Sequence, residues 1–347
     1  MAITRRWIAG AEVDTTGSRT LEFTSYDTDF LVSAFPKSGN YSYRCGGGSF
    51  EWGIKAIPAT RQIRLGFHVY VNNVATSPLA ELCSILAAAS AELVLINCSG
   101  PALPGLFLRV GGSEKDRDNA LFAPSAWYHI GLDVKIDSSA GWVKLYVDGT
   151  EKLTFAGNTG NSDIEAIRIG TNDAGYGTDW YFDDIYVDDL AGEGAAAVVP
   201  DLRFEFLTPD GNGNYADWDG SDGNQVDNFE QVDEQPHDSD TTYNEAQAAD
   251  EQDSYTLTTH AVTAGWQINA VIPTAVAKKT NAGVGTLLQM FLRVGSDDDL
   301  GDAGEQALGT SYSLVWDRHI VAPDAGAWTQ ADLDALEVGI EGEGAFS

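Results

Sequence analysis

The sequence predicts an all-β protein, two antiparallel sandwiches in series, and three observations carry that reading. Apolar and polar residues alternate from Trp127 to Ile136, where Tyr128, Ile130, Leu132, Val134 and Ile136 interleave with His129, Gly131, Asp133 and Lys135. Period 2 is the signature of a strand with one buried face. Asp148-Gly149 sits between two more alternating runs, Val143 to Val147 and Leu153 to Phe155, and such a pair marks a hairpin because both turn residues take positive φ. Ala191 to Pro200, a small-residue stretch ending in Pro, reads as a linker, and 347 residues exceed one ordinary core. The predicted domains are 1–190 and 201–347, joined by 191–200.

In chain order, the first half offers short strands at Thr20–Phe23, Tyr41–Cys45, Phe50–Ile54 and Ile63–Val71. Segment 78–97 combines helix-favouring composition with apolar runs, and the prediction is two neighbouring strands preceded by a helical turn at 78–83. The 127–136 strand, the 142–156 hairpin, Ile164–Gly170 and Trp180–Asp189 complete the first sandwich. In the second half, residues 208–253 are the most polar part and read as long ordered loops. Strands follow at Ser254–Thr258, Trp266–Ile272, Leu287–Val294 and Tyr312–Trp316. Thr329 caps a helical turn with Asp332 at the capping-box position, before a last strand at Val338–Ile340. This half is expected to be a second, smaller jelly roll.

Trp127-Tyr128-His129-Ile130, Val143-Lys144-Leu145-Tyr146-Val147-Asp148-Gly149 and Phe182-Asp183-Asp184-Ile185-Tyr186-Val187 stand in an order that resembles the concanavalin A-like lectin/glucanase superfamily in its laminin-G-like form. The resemblance covers roughly the first 190 residues and implies a concanavalin A-like antiparallel β-sandwich; it says little of function, since folds host many activities. The second half, through Tyr215–Trp218, Val232–Pro236 with Asp238 to Tyr243, Ala327–Thr329 and Leu336–Ile340, resembles structural proteins of tailed-bacteriophage particles.

Composition narrows the function. A net charge of −32 opposes nucleic-acid binding, which needs Lys and Arg on phosphates. From Asp201 onward 28 acidic side chains face 5 basic ones, so about 23 of the 32 excess negative charges sit in the last 147 residues. No apolar run is long enough to span a bilayer as a helix, and the stretch after Arg6 ends at Glu12, too soon for the apolar region of a secretion signal. Cys45, Cys83 and Cys98 are too few for a disulfide framework and are expected as reduced core thiols.

Candidate chemistry is sparse. The superfamily's enzymes carry Glu-(Ile/Val)-Asp-x-x-Glu, whose paired carboxylates attack a glycosidic bond; the nearest text here is Glu12-Val13-Asp14-Thr15-Thr16-Gly17, which lacks the second Glu. No catalytic residue is therefore assigned. There is no Gly-x-Ser-x-Gly elbow, and the five histidines are scattered, each read as structural. Calcium is the one cofactor to weigh: Asp210, Asn212 and Asn214 supply oxygens at positions 1, 3 and 5 of a calcium-type loop, although Tyr215 replaces the usual Gly and Ser221 the closing acid. Solvated acidic turns account for the same residues. By resemblance to the lectins, Asn172, Asp173, Tyr176 and Trp180 are the candidate glycan-binding residues, with strand-start aromatics as core the plain alternative.

The function expected is that of a non-enzymatic virion structural protein, a capsid decoration or tail accessory protein displayed on the particle surface after assembly in the host cytoplasm. The alternative is a carbohydrate-binding adhesin or tail-fibre module facing a host surface glycan, and the third reading a glycoside hydrolase. Expected partners are the major capsid or tail proteins and further copies of the chain, by resemblance a homotrimer, with no nucleic acid and no membrane.

Overall fold

The computed structural model describes residues 4–11, 22–33, 35–45, 51–72, 80–88, 91–98, 105–119, 122–171, 179–190, 199–235, 237–282, 285–301 and 303–346. It divides into two compact units, Met1–Phe204 and Glu205–Ser347.

In the first unit the strands are β1 (Thr4–Ala9), β2 (Ser25–Tyr26), β3 (Phe30–Ser33), β4 (Ser42–Cys45), β5 (Glu51–Thr60), β6 (Gln62–Val71), β7 (Ala80–Leu86), β8 (Glu92–Cys98), β9 (Leu106–Val110), β10 (Ser113–Asp118), β11 (Ala126–Lys135), β12 (Gly141–Val147), β13 (Thr150–Gly157), β14 (Ile164–Thr171) and β15 (Trp180–Asp189). They form two antiparallel sheets, one ordered β13-β12-β11-β6-β15-β4-β3 with β1 on β15, the other β10-β9-β8-β7-β14-β5-β2. Alternation explains the core between them. Ile63, Leu65, Phe67 and Val69 of β6, Ile130, Leu132 and Val134 of β11, and Phe182, Ile185 and Val187 of β15 share one buried cluster with Leu82, Ile85, Ile96, Leu108, Ile167 and Ile169 of the second sheet. The predicted hairpin is present as β12–β13, with Asp148 at φ 47 and Gly149 at φ 74.

Two expectations change. The helical turn placed at 78–83 is extended from Ala80, because β7 is paired on both sides, by β8 and β14, and its ladder outweighs helical propensity. The unit also runs past the linker drawn at 191–200: Val199 is buried with Tyr146 and Tyr186, so the boundary falls at 204/205. Residues 191–198 lie outside the described ones, as do Thr20 and Leu21 of the strand expected at 20–23.

The second unit holds β16 (Pro209–Ala216), β17 (Asp219–Gly220), β18 (Asn244–Glu245), β19 (Gln252–Leu257), β20 (Thr274–Ala277), β21 (Thr286–Val294), β22 (Asp297–Asp299), β23 (Gln306–Ala307), β24 (Ser313–Trp316) and β25 (Leu336–Gly344). Its main sheet runs β16-β19-β25-β21-β22 with β23 on β21, and β17-β18 and β20-β24 are two-stranded ribbons. Thr329 and Asp332 form the predicted capping box of helix α1 (Gln330–Asp334). The strand expected at 266–272 is not formed; Val271 makes a single bridge to His319. The polar 208–253 region is better built than a loop: β16 pairs with β19, and Trp218 is buried with its Nε1 donating to Glu251 O at 2.9 Å. Tyr243, in the same region, is 37% exposed.

Candidate functional site

The face of the first sheet turned away from the core is built in cross-strand rows, because β11, β6 and β15 lie side by side in register. Trp127 pairs Tyr70 and Tyr70 pairs Tyr181; His129 pairs His68 and His68 pairs Asp183; Gly131 pairs Gly66 and Gly66 pairs Tyr186; Asp133 pairs Arg64 and Arg64 pairs Asp188. Contacts between side chains in register join Trp127 to Tyr70, Tyr70 to Tyr181, His129 to His68 and Asp133 to Arg64, the sheet's unit of stabilisation.

The first row is aromatic. Trp127, Tyr70 and Tyr181 are half-buried, and Phe35, which follows β3, lies across them with 41% of its surface exposed. Its ring centroid is 4.9 Å from Tyr70, 4.7 Å from Tyr181 and 6.2 Å from Trp127, nearly parallel to the last at 16°. At one end Arg44, the partner of Tyr181, is neutralised by Asp179 at 2.9 Å. Chemically this is an apolar patch with polar edges, suited to the C–H face of a flat ring.

The second row is ionic and buried. A bulge in β15 places Asp183 and Asp184 together, Asp184 at φ 52. Asp183 accepts from the backbone N–H of Lys37 at 2.6 Å and of Ser38 at 3.2 Å, and Asp184 accepts from the Ser38 hydroxyl, so the two carboxylates hold down the loop that carries Phe35. His68 Nδ1 lies 2.9 Å from Asp184 Oδ2, off the straight line a hydrogen bond prefers, and its Nε2 lies 3.0 Å from Asp201 Oδ1. Burial alone would lower the His68 pKa, but the two carboxylates outweigh it and the net shift is upward. His129 goes the other way: burial and the charge of His68 lower it to about 4. The two neighbouring imidazoles are thus shifted in opposite directions. Burial and the charge of Asp184 push Asp183 up, against its backbone donors.

In the third row Gly66 and Gly131 leave a hollow. A Cβ on Gly66 would lie 2.2 Å from the Tyr186 ring and one on Gly131 2.4 Å from Val199 Cβ, so these neighbours occupy the space. Residues 199–204 run over this face. Pro200 O accepts from the Tyr186 hydroxyl at 2.5 Å, Asp201 meets His68, and Phe204 N donates to Asp184 Oδ1 at 2.9 Å. The fourth row is a buried ion pair, Arg64 to Asp133 at 2.8 and 3.1 Å, flanked by Arg5 on Asp188.

The sequence-predicted glycan residues are not this site. Asn172, Asp173 and Tyr176 lie outside the described residues, and Trp180 is a core residue, 5% exposed, packed in the sandwich interior. Its neighbour Tyr181 is the outward ring, one residue along and so on the opposite face of the strand. Glu12, Asp14 and Gly17 are also outside the described residues.

Asp210, Asn212 and Asn214 lie on strand β16 and do not form a calcium-type loop. Asp210 accepts from Thr256 Oγ1 at 2.9 Å, Asn212 Oδ1 from Phe229 N at 3.2 Å, and the Asn214 amide donates to Glu337. The three side chains are spent on separate partners, because an extended backbone spreads alternate residues where a loop would gather them. Among the described residues, the acidic side chains with ligand oxygens within 4.8 Å of one another are Asp250, Glu341 and Glu343.

The histidine reading also changes. His68 and His129, taken as scattered, meet at 5.2 Å between ring centroids. Sequence reasoning missed them, along with Asp184 and Asp201, because the contact depends on the register of strands sixty residues apart. One local signal existed: Phe182 and Ile185 both point inward, three residues apart, which requires a bulge between them.

No protein-family profile matches the chain, and no curated protein does. Solved structures of similar shape include a heptameric pentraxin of Limulus polyphemus (13% identity, TM-score 0.32, 42% of this chain and 74% of that one) and a galectin of Caenorhabditis elegans (13%, 0.29, 42% and 94%). A sialidase of Trypanosoma rangeli is also similar (16%, 0.34), over 45% of this chain and 26% of that one. The likeness is one of fold class, the antiparallel jelly-roll sandwich, shared by enzymes and non-enzymes alike.

Proposed function

We propose that the chain is a non-enzymatic structural protein displayed on the surface of a tailed-phage particle, and that its first unit binds carbohydrate on the Trp127–Tyr70–Tyr181 row beneath Phe35. The observation that carries the binding reading is this row. Four aromatic rings are gathered on the outward face of three adjacent strands, with one of them 41% exposed, where an interior-facing strand would bury them. Aromatic surface of this kind marks a binding site more often than chance exposure does. The non-enzymatic reading is favoured by the state of the nearest acid–base groups: His68 is taken up between two carboxylates, and Asp183 by backbone N–H groups. The particle context rests on the resemblance of the second half to phage structural proteins.

Screening the full chain on a glycan array, then titrating the best sugar against wild type, F35A and W127A, tests the binding reading. Each truncation should weaken binding about 30-fold, the loss of one aromatic anchor of roughly 2 kcal/mol, with the folded-state circular dichroism unchanged. Unchanged affinity in both variants would remove the row from the site. Quantitative mass spectrometry of purified phage particles addresses the context; absence of the chain from them would overturn it.

A further inference from the structure

We propose that residues 199–204 form a pH-released clasp, closed over the Gly66–Gly131 hollow by His68 and opened when His68 loses its proton. The geometry carries this. His68 is 2% exposed and stands between two carboxylates of different character: the Asp184 side chain is fully buried, that of Asp201 43% exposed. As an imidazolium His68 donates from Nε2 to Asp201 and sets its Nδ1 proton against the Asp184 carboxylate, 2.9 Å away but off line. As a neutral ring it keeps one N–H and turns a lone pair to the other carboxylate. Asp184 has no route to water, so the remaining proton stays on Nδ1. The lone pair then faces Asp201, which is free to swing into solvent. The bond lost on deprotonation is therefore the one that ties the segment to the sheet.

The surrounding charges support the same outcome. Asp184 reaches His68 from β15, where Asp183 is its register partner, His129 faces it from β11 with Asp148 behind, and Asp201 and Arg203 belong to the segment itself. His129 stays neutral and offers no second cation to hold Asp201. What remains after release includes the backbone bond from Phe204 N, the Pro200 carbonyl on Tyr186, the seat of Val199 on Gly131 and the packing of Leu202 and Phe204 on the two tyrosines. Opening uncovers that hollow, two rows from the aromatic patch.

His68 is raised from its ordinary value, so the sign follows: its contribution is complete below about pH 6.5 and is lost as pH rises through the raised value. Hydrogen exchange of the full chain, read by mass spectrometry from pH 5.5 to 9 and corrected for intrinsic rates, tests this. In wild type, protection of the 199–204 amides should fall about tenfold with rising pH, while β11 stays protected. D201N, a half-exposed isosteric change that leaves the core intact, should show low protection at every pH, and H68Q the same. Flat protection in wild type, or a pH dependence that survives in D201N, would overturn the proposal.

Discussion

Replacing Asp133 with Ala should be among the most damaging single changes on the first sheet. The Arg64 guanidinium is 6% exposed and Asp133 fully buried, joined by two hydrogen bonds of 2.8 and 3.1 Å. Asp133→Ala removes both and leaves a buried cation that cannot shed its proton. Breaking a buried pair in this way costs about 3–5 kcal/mol. Asp188, next along the row, partly faces Arg64 but is engaged by Arg5, so the lower end, about 3 kcal/mol, is expected. For a unit of some 200 residues this is a drop of about 6–12 °C in melting temperature, measurable by calorimetry of the full chain. The double variant R64M/D133L should recover most of the loss, because an apolar pair of similar volume is about neutral against a buried ion pair. A cost below about 1 kcal/mol for D133A, or a double variant no better than the single, would show that the charge is not sealed from water as the structure has it.

Gly149→Ala places a Cβ at φ 74 in the β12–β13 turn and should cost about 1 kcal/mol in urea unfolding. His129, lowered from 6.5 to about 4, stays neutral in the fold while the unfolded chain takes up a proton, so stability is lost as pH falls between those values. That loss is about 3 kcal/mol by linkage, and the stability difference between wild type and H129Q should shrink by that amount from pH 7 to pH 4. Gly131→Ala, whose new methyl would sit 2.4 Å from Val199 Cβ, should expose residues 199–204 to limited proteolysis at a pH where wild type resists.

What the sequence made legible was whatever is local. Alternation placed β6, β11 and β12, and Asp148-Gly149 placed the β12–β13 hairpin, because side-chain period and turn chemistry are written in consecutive residues. The capping box at Thr329 was readable for the same reason. The site was less accessible, since its rows are made by register. Nothing near His129 announces His68, and only pairing of β6 with β11 sets them side by side. Trp180 failed for a subtler reason: Trp, Tyr and Phe stand in succession, and the bulge at Asp183 shifts the phase that would have said which of them faces out. Asp210, Asn212 and Asn214 looked like ligands by spacing alone, and spacing does not reveal that the backbone carrying them is extended. The strand expected at 266–272 shows the converse, an alternating pattern that finds no neighbour to pair with.

The seat of Val199 on Gly131 bears on where this chain can be cut. Tyr146 and Tyr186 are fully buried, yet both face away from the sandwich interior, and the side chains that cover them belong to Val199, Leu202 and Phe204, with Ile8 at the rim. A fragment ended at residue 190 or 195, where composition invites the scissors, would keep every strand of the sandwich and still present two bare tyrosines beside an uncovered glycine floor. Such a fragment should be sticky in solution, whereas one carried through Phe204 brings its own cover.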